Sequence, residues 1–404
     1  VPEPADDARL RAYARLAVRT GVDLQPGQEL LVEAQIETAP FAQAIAAEAY
    51  AAGARHVDVH YADRRVRRAA VADAPEDALD WTPPWMLERL GRASELGSPL
   101  IAVTGWSGSD IFAGLDPARL ARARPRELDR AWIAAVMERR IPWTAVAAPS
   151  EEWAREALGE PDLPRLWDAV AHALRLDEPD PAEAWARRLD ELEARAAGLS
   201  ERRFTALRYR GPGTDLEVGL IEGSRWMAGR GRTVGESVHA PNLPTEEVFT
   251  SPHRLRAEGT VRSTLPLALR GTVVEGLELT LRGGEIVEVR ARRGAEVVRG
   301  DLATDDGARR LGEVALVDDT SRVGATGVTF RNTLLDENAA SHIAWGHGLS
   351  WTLGEAPPER HAELGLNGSA THVDFMVGSR EVEIDGVEPG GTAVPILRDG
   401  RWQL

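Results

Sequence analysis

The stretch from Glu29 to Tyr61 decides the fold class. It reads ELLVEA (Glu29–Ala34), then PFAQAIAAEAYAA (Pro40–Ala52), then, after Gly53, RHVDVHY (Arg55–Tyr61). The first run is short and mostly apolar, as a buried strand is. The second is alanine-rich, which favours helix, and Gly53 ends it. The third alternates as a strand does. Strand, helix and strand in this order predict parallel pairing through a right-handed crossover. Outward from this unit, SPLIAVTGW (Ser98–Trp106) reads as a further buried strand. A helix from about Pro125 to Arg139 precedes the strand IPWTAVAAP (Ile141–Pro149). Together they predict an α/β N-terminal domain with an open doubly wound sheet.

Between about residues 150 and 200 the pattern is helical: EEWAREALG, LPRLWDAVAHALRL, and DPAEAWARRLDELEARAAGL from Asp180 to Leu199. The last opens on an Asp-Pro start and carries charge pairs four residues apart. From Phe204 the chain becomes mainly β. TALRYRGPGTDLEVGL reads as two strands around a Gly-Pro-Gly turn. VRSTLPLAL and TVVEGLELTLRGGEIVEVRA alternate, with glycine-rich turns. The expected division is residues 1–200, an α/β domain with a helical linker, and 201–404, an α+β domain rich in antiparallel strands that carries the chemistry.

The 404 residues include no cysteine and no lysine, so all 48 basic residues are arginine. This excludes disulfides, thiolate metal sites, cysteine nucleophiles and Schiff-base lysines. A net charge of −16 argues against nucleic acid and anionic membranes as partners. No apolar run approaches the roughly 18 residues of a membrane span. The opening Val1-Pro2-Glu3-Pro4 lacks the pattern of a signal peptide. There is no dinucleotide fingerprint after the first strand, no nucleophile elbow and no phosphate-binding loop.

Carboxylates and imidazoles gather instead in the C-terminal part. In NLPTEEVFTSP (Asn242–Pro252), strand parity puts Glu247 with Phe249 and Glu246 with Val248, on opposite faces unless a twisted or bulged end unites them. Glu313 interrupts the apolar run LGEVALVDD. In DENAASHIAWGHG (Asp336–Gly348), Asp336 or Asn338 reads as a helix cap and AASHIAW as a short helix, with Glu337 near its start and His342 about one turn in. THVDFMVGS (Thr371–Ser379) puts His372 and Asp374 side by side on one strand face, backed by Val373, Phe375 and Val377. Each alone also fits a solvated side chain. Together, hard carboxylate oxygens mixed with imidazoles suit a two-metal hydrolytic centre.

The blocks NLPTEEVFTSP, EGTVRSTLPLAL, GARRLGEVALV, LLDENAASHIAWG and NGSATHVDFMVGS closely resemble the aminopeptidase T and aminopeptidase S family, as does the opening LAVRTGVDLQPGQELLVEA, less distinctively. The resemblance implies a metal-dependent aminopeptidase acting on peptides, a cytoplasmic homodimer with two divalent ions. Zinc or cobalt are the first candidates, then manganese or magnesium. It implies ligands at Glu247, Glu313, His342, His372 and Asp374, with Glu313 as the bridge. Glu337 is expected in ligation or support, and Glu246 as the general base. One departure stands out: the family commonly has tyrosine where this chain has Leu349. A phenol there could bond a developing oxyanion. Its loss raises one alternative, a homologue that binds peptides or partners with weak or no turnover; a metallohydrolase of other aminoacyl conjugates is a separate one. His347 or Ser350 is a substitute donor on the ground of proximity.

Overall fold

The computed structural model describes residues 8–105, 109–270 and 272–404. The Val1–Pro4 opening and Trp106 lie outside them. The chain divides into two compact units. One runs up to Trp185 and includes Arg230–Leu243; the other comprises Ala186–Gly229 and Pro244–Leu404.

In the first unit, β1 (Glu29–Gln35), β2 (His56–Ala62), β3 (Leu100–Thr104) and β4 (Trp143–Ala147) form a parallel sheet in the order β2-β1-β3-β4. The order reverses beside β1, as in doubly wound folds. The apolar runs expected as strands supply its core, with Leu30, Val32 and Ile101 fully buried. The helix Ala39–Ala51 between β1 and β2 buries Phe41, Ala42, Ala44, Ile45 and Ala49. Polar residues on β1 and β2 also pair off. Glu33 lies opposite His60, their side chains are 2.7 Å apart, and Arg89 joins Glu33 to Asp58.

The second unit is built from antiparallel strands. An eight-stranded sheet is centred on Ala206–Gly211, Thr214–Leu220 and the long strand Pro252–Arg262. A five-stranded sheet runs in the order His372–Met376, His342–Gly346, Leu311–Leu316, Val248–Thr250, Met227–Ala228. One hydrophobic core draws on both sheets: Leu207, Val218 and Ile384 from the first, Val314, Ile343 and Phe375 from the second. This is the expected fold class, parallel α/β followed by antiparallel strands. The run VRSTLPLAL does not continue as one strand. The first strand ends at Arg262, residues 263–266 are irregular and close on Pro266, and Leu267–Leu269 pairs with Thr272–Val274 as a separate hairpin.

Candidate metal centre

Strand pairing carries the scattered candidate ligands to one place. Phe249 faces Ala315, Ala315 faces His342, Glu313 faces Ala344, and Ala344 faces Asp374. Residues opposite one another in a sheet project to the same side. Glu247, Glu313, His342, His372 and Asp374 therefore share one face of the five-stranded sheet. The other face carries Val248, Val314, Ile343, Trp345 and Phe375 into the core. Ala344 stands between the Glu313 and Asp374 rows, and its small methyl leaves room between the two carboxylates.

Local backbone features sharpen this alignment. The ladder shifts register between Leu311 and Glu313, a bulge that re-aims Glu313. A Cβ at Gly312 would lie 2.2 Å from the carbonyl oxygen of His347, so only glycine fits there. Gly346 closes the His342 strand at φ +99°, and a Cβ there would meet the carbonyl oxygen of Thr371 at 2.1 Å.

The segment around His342 departs from the sequence reading. AASHIAW is not a helix: His342–Gly346 is a strand, paired on both sides. The helix is the single turn Thr333–Asp336, and its cap is Asn332, whose side chain accepts the Leu334 N–H. A short apolar run fits either period. Here two neighbouring strands take up its backbone groups, and that outweighs local preference. Glu337 closes the helical turn and is buried, as Asp336 is. Burial pushes the Asp336 carboxyl up to about 7, against the N–H groups of Phe330 and Asn332 that it accepts.

The side chains form two overlapping groups. Ligand atoms of Glu247, Glu313 and His342 lie within 4.8 Å of one another, and so do those of Glu313, His372 and Asp374. Glu313 belongs to both. His342 Nε2 is 2.9 Å from Glu247 Oε2, and His372 Nε2 is 3.2 Å from Glu313 Oε2 and 3.4 Å from Asp374 Oδ1. The His342 side chain is only 2% exposed and that of His372 is 30%, so the cluster opens to solvent beside His372.

Both imidazoles turn Nδ1 towards a backbone carbonyl: His342 towards Ala340 at 3.2 Å, His372 towards His347 at 2.8 Å. An Nδ1–H donated there leaves Nε2 a bare lone pair aimed at carboxylate oxygens, and the carbonyl fixes the ring's tautomer and direction, as such partners do for metal-ligating histidines. Glu247 Oε2 and Asp374 Oδ1 are buried with no hydrogen-bond partner. Acceptors that face acceptors in a buried place call for a cation. The residues therefore fit divalent ions.

Electrostatics say the same. Burial raises the Glu313 carboxyl, the His372 hydrogen bond opposes this, and the charges of Asp374 and Glu247 raise it further. Burial also raises Glu337 well above the usual range, with Asp374 and Glu247 adding to it. For His342 burial works downward, but the pull of Glu247, with Asp374 and Glu313, lifts it to about 10. Without cations, the crowded carboxylates draw in protons.

Glu246 is not in either group. Its Oε2 accepts Arg188 Nε–H at 2.7 Å, on the other side of the strand from Glu247. Its backbone N–H donates to Asn338 Oδ1 at 2.6 Å, which ties the Glu246–Glu247 segment to the Glu337 turn. Arg188 carries no signal in the sequence, and Asn338, expected as a helix cap, instead holds the Glu246 N–H. The Asp-Pro helix start marked the element that carries Arg188, but not its target. Leu349 is buried and apolar. Its N–H donates to Ser251 Oγ at 2.9 Å and its carbonyl accepts Thr352 Oγ1–H at 2.7 Å.

The sequence profile of the family described as thermophilic metalloprotease (M29) matches residues 6–402. The chain belongs to this family. Among curated M29 relatives, Aminopeptidase T of Thermus thermophilus is 44% identical over 97% of this chain and 98% of its own length. Aminopeptidase PepS of Streptococcus thermophilus is 37% identical and Aminopeptidase AmpS of Bacillus subtilis 36%, each over 98% of both chains. The solved structure of wild-type AmpT from Thermus thermophilus superposes with a TM-score of 0.88 at 43% identity, over 98% of this chain and 99% of that one. The resemblance read from the sequence blocks is borne out, and the chain is a hydrolase of a metallo-exopeptidase family. Among the described residues no helix is long and apolar enough to cross a membrane. None of these relatives supports a binding-only homologue or a conjugate hydrolase.

Proposed function

We propose that this M29 protein releases N-terminal amino acids from peptides at a centre of two divalent cations. The observation that carries this is the pair of three-residue groups joined through Glu313. Glu247 and His342 would hold one ion, His372 and Asp374 the other, with Glu313 between them and Glu337 in support. Charge agrees with number: four buried or half-buried carboxylates (Glu247, Glu313, Glu337, Asp374) beside two imidazoles balance two divalent ions. The mixed oxygen and nitrogen donors suit zinc or cobalt, with manganese or magnesium as further candidates. Bound ions would supply Lewis acidity and bring a water's pKa towards neutrality.

The chain's own groups do the rest. The half-exposed side beside His372 admits the substrate, and the surplus of carboxylates suits its α-ammonium group. Proton transfer from water to the leaving amine needs a carboxylate outside the ligand set. Glu246, adjacent in the chain to Glu247, is the acceptor expected from the sequence, but Arg188 holds its Oε2 on the far side of the strand; Glu337, which stands in the field of Asp374 and Glu247, is therefore the first assignment and Glu246 the second. Of Glu246→Gln and Glu337→Gln, the one that keeps cation uptake yet loses kcat identifies the acceptor. A cytoplasmic homodimer, supported by the family resemblance, belongs to this reading; a single-chain mass in light scattering would count against the dimer.

A panel of aminoacyl amides and dipeptides tests the function, each run with cobalt, zinc and manganese. Release of the N-terminal residue should vanish with a chelator and return with metal. No release under any of the three metals defeats the proposal.

A further inference from the structure

Asp301, in the helix Ala295–Leu302, is 1% exposed, and neither the ligand groups nor the proton-transfer roles include it. Arg270 donates to its Oδ1 through Nε, at 2.8 Å, and through a terminal nitrogen. Its Oδ2 accepts the indole N–H of Trp345 at 2.8 Å and the hydroxyl of Thr371 at 2.9 Å. Trp345 lies on the strand of His342, and Thr371 directly precedes His372. The carbonyl of Thr371 accepts the N–H of His347 at 2.7 Å, and the carbonyl of His347 accepts Nδ1–H of His372 at 2.8 Å.

We propose that Asp301 is a positioning residue of the metal centre: it clamps the His342 and His372 strands in register and, through Thr371 and His347, aims His372 Nε2 at Glu313 and Asp374. The inference rests on the two-cation reading and adds to it the group that holds one half of the cage in place.

A carboxylate is required because both oxygens face donors. An asparagine would turn its NH2 either on Trp345 and Thr371 or on Arg270, so one side of the clamp is lost whichever way it flips. Thr371→Val is the milder probe. It removes one hydroxyl and keeps the shape, Trp345 and Arg270.

The test compares Asp301→Asn, Thr371→Val and a control, Val298→Ala, which makes a cavity in the same helix without removing any of these hydrogen bonds. Two quantities are measured. One is the exchange protection of the His372 Nδ1 proton, followed by NMR in chelator-treated protein and identified by its loss in His372→Gln. The other is the zinc isotherm of the metal-free protein. Asp301→Asn and Thr371→Val should both expose the proton and weaken one of two zinc sites, by about tenfold for Asp301→Asn, the low end of the cost of losing a direct partner of a metal-ligating histidine because Asp301 acts through Thr371 and His347, and by a smaller factor for Thr371→Val. Val298→Ala should lower Tm and leave both quantities unchanged. Unchanged readouts in Thr371→Val, or changes in Val298→Ala as large as those in Asp301→Asn, overturn the proposal. A wild-type protein that takes up no zinc defeats the cation centre instead, and the proton measurement, made without metal, still decides the role of Asp301.

Discussion

Nε2 of His342 stands 2.9 Å from Oε2 of Glu247, while Nδ1 turns to the carbonyl of Ala340, so a neutral ring that donates from Nδ1 leaves that oxygen without a donor. Two lone pairs face each other across a distance that only a proton or a metal ion makes favourable. The pull of Glu247 outweighs burial and lifts His342 to about 10, so near neutral pH the metal-free ring carries the proton. Cation uptake must displace it. Titration calorimetry of metal-free protein with zinc at pH 7, in buffers of different ionisation heats, should show net proton release and an affinity that falls as pH falls. Uptake without proton release would contradict this geometry.

Arg188 is 7% exposed at its side chain and pairs with Glu246 at 2.7 Å, with the more exposed Glu191 at 3.1 Å and, more distantly, with Asp318 at 3.6 Å. Removing one partner of a buried pair leaves a charge uncompensated. Arg188→Met should cost about 3–5 kcal/mol in urea unfolding, and adding Glu246→Gln should recover part of it. A loss below roughly 1 kcal/mol, the range of exposed pairs, would show that the ion pair does not form.

His239 is buried with Nδ1 unpartnered, and burial draws its pKa down to about 4, against a smaller opposing bond from Ser237. The unfolded chain, near the ordinary value of 6.5, binds this proton first. Its contribution is therefore fully present above pH 6.5 and is lost as pH falls towards 4, up to roughly 3 kcal/mol. Other groups titrate in the same window, so the difference between the wild type and His239→Leu isolates it. Unfolding free energy should slope less steeply between pH 6.5 and 4 in the variant, and equal slopes would refute the claim.

Leu349 presents a buried apolar side chain from a backbone held by Ser251 and Thr352. If a phenol at this position bonds the developing oxyanion, Leu349→Tyr should raise kcat by about tenfold or more with little change in KM. The larger ring should lower stability by about 1–3 kcal/mol. Steady-state kinetics beside a melting curve checks both, and a kcat no higher than wild type would remove the oxyanion role.

Much of the centre was legible because it depends on parity. Period-two spacing placed His372 with Asp374, and Glu247 opposite Glu246, before any neighbour was known; the structure sends Glu247 to His342 and Glu246 to Arg188. Where the signal depended on choosing between periods it failed. AASHIAW has the length of either element, and pairing with the Glu313 and Asp374 strands made part of it a strand. Asp301 gave no signal at all, and Asn338 read only as a possible helix cap. Both are buried, and each meets a partner distant in the chain, Trp345 for Asp301 and Glu246 for Asn338.

The local order of residues was enough to specify the parallel α/β opening, the antiparallel second half and the side chains able to bind metal, because helix and strand periods and ligand chemistry are short-range properties. Which strands stand together, and hence that Glu313 lies between two groups contributed from Glu247 to Asp374, was decided only by burial of the opposite sheet face in a common core. The few ångströms between Glu247 and His342, or between Glu313 and His372, follow from that packing, and no local pattern encodes them.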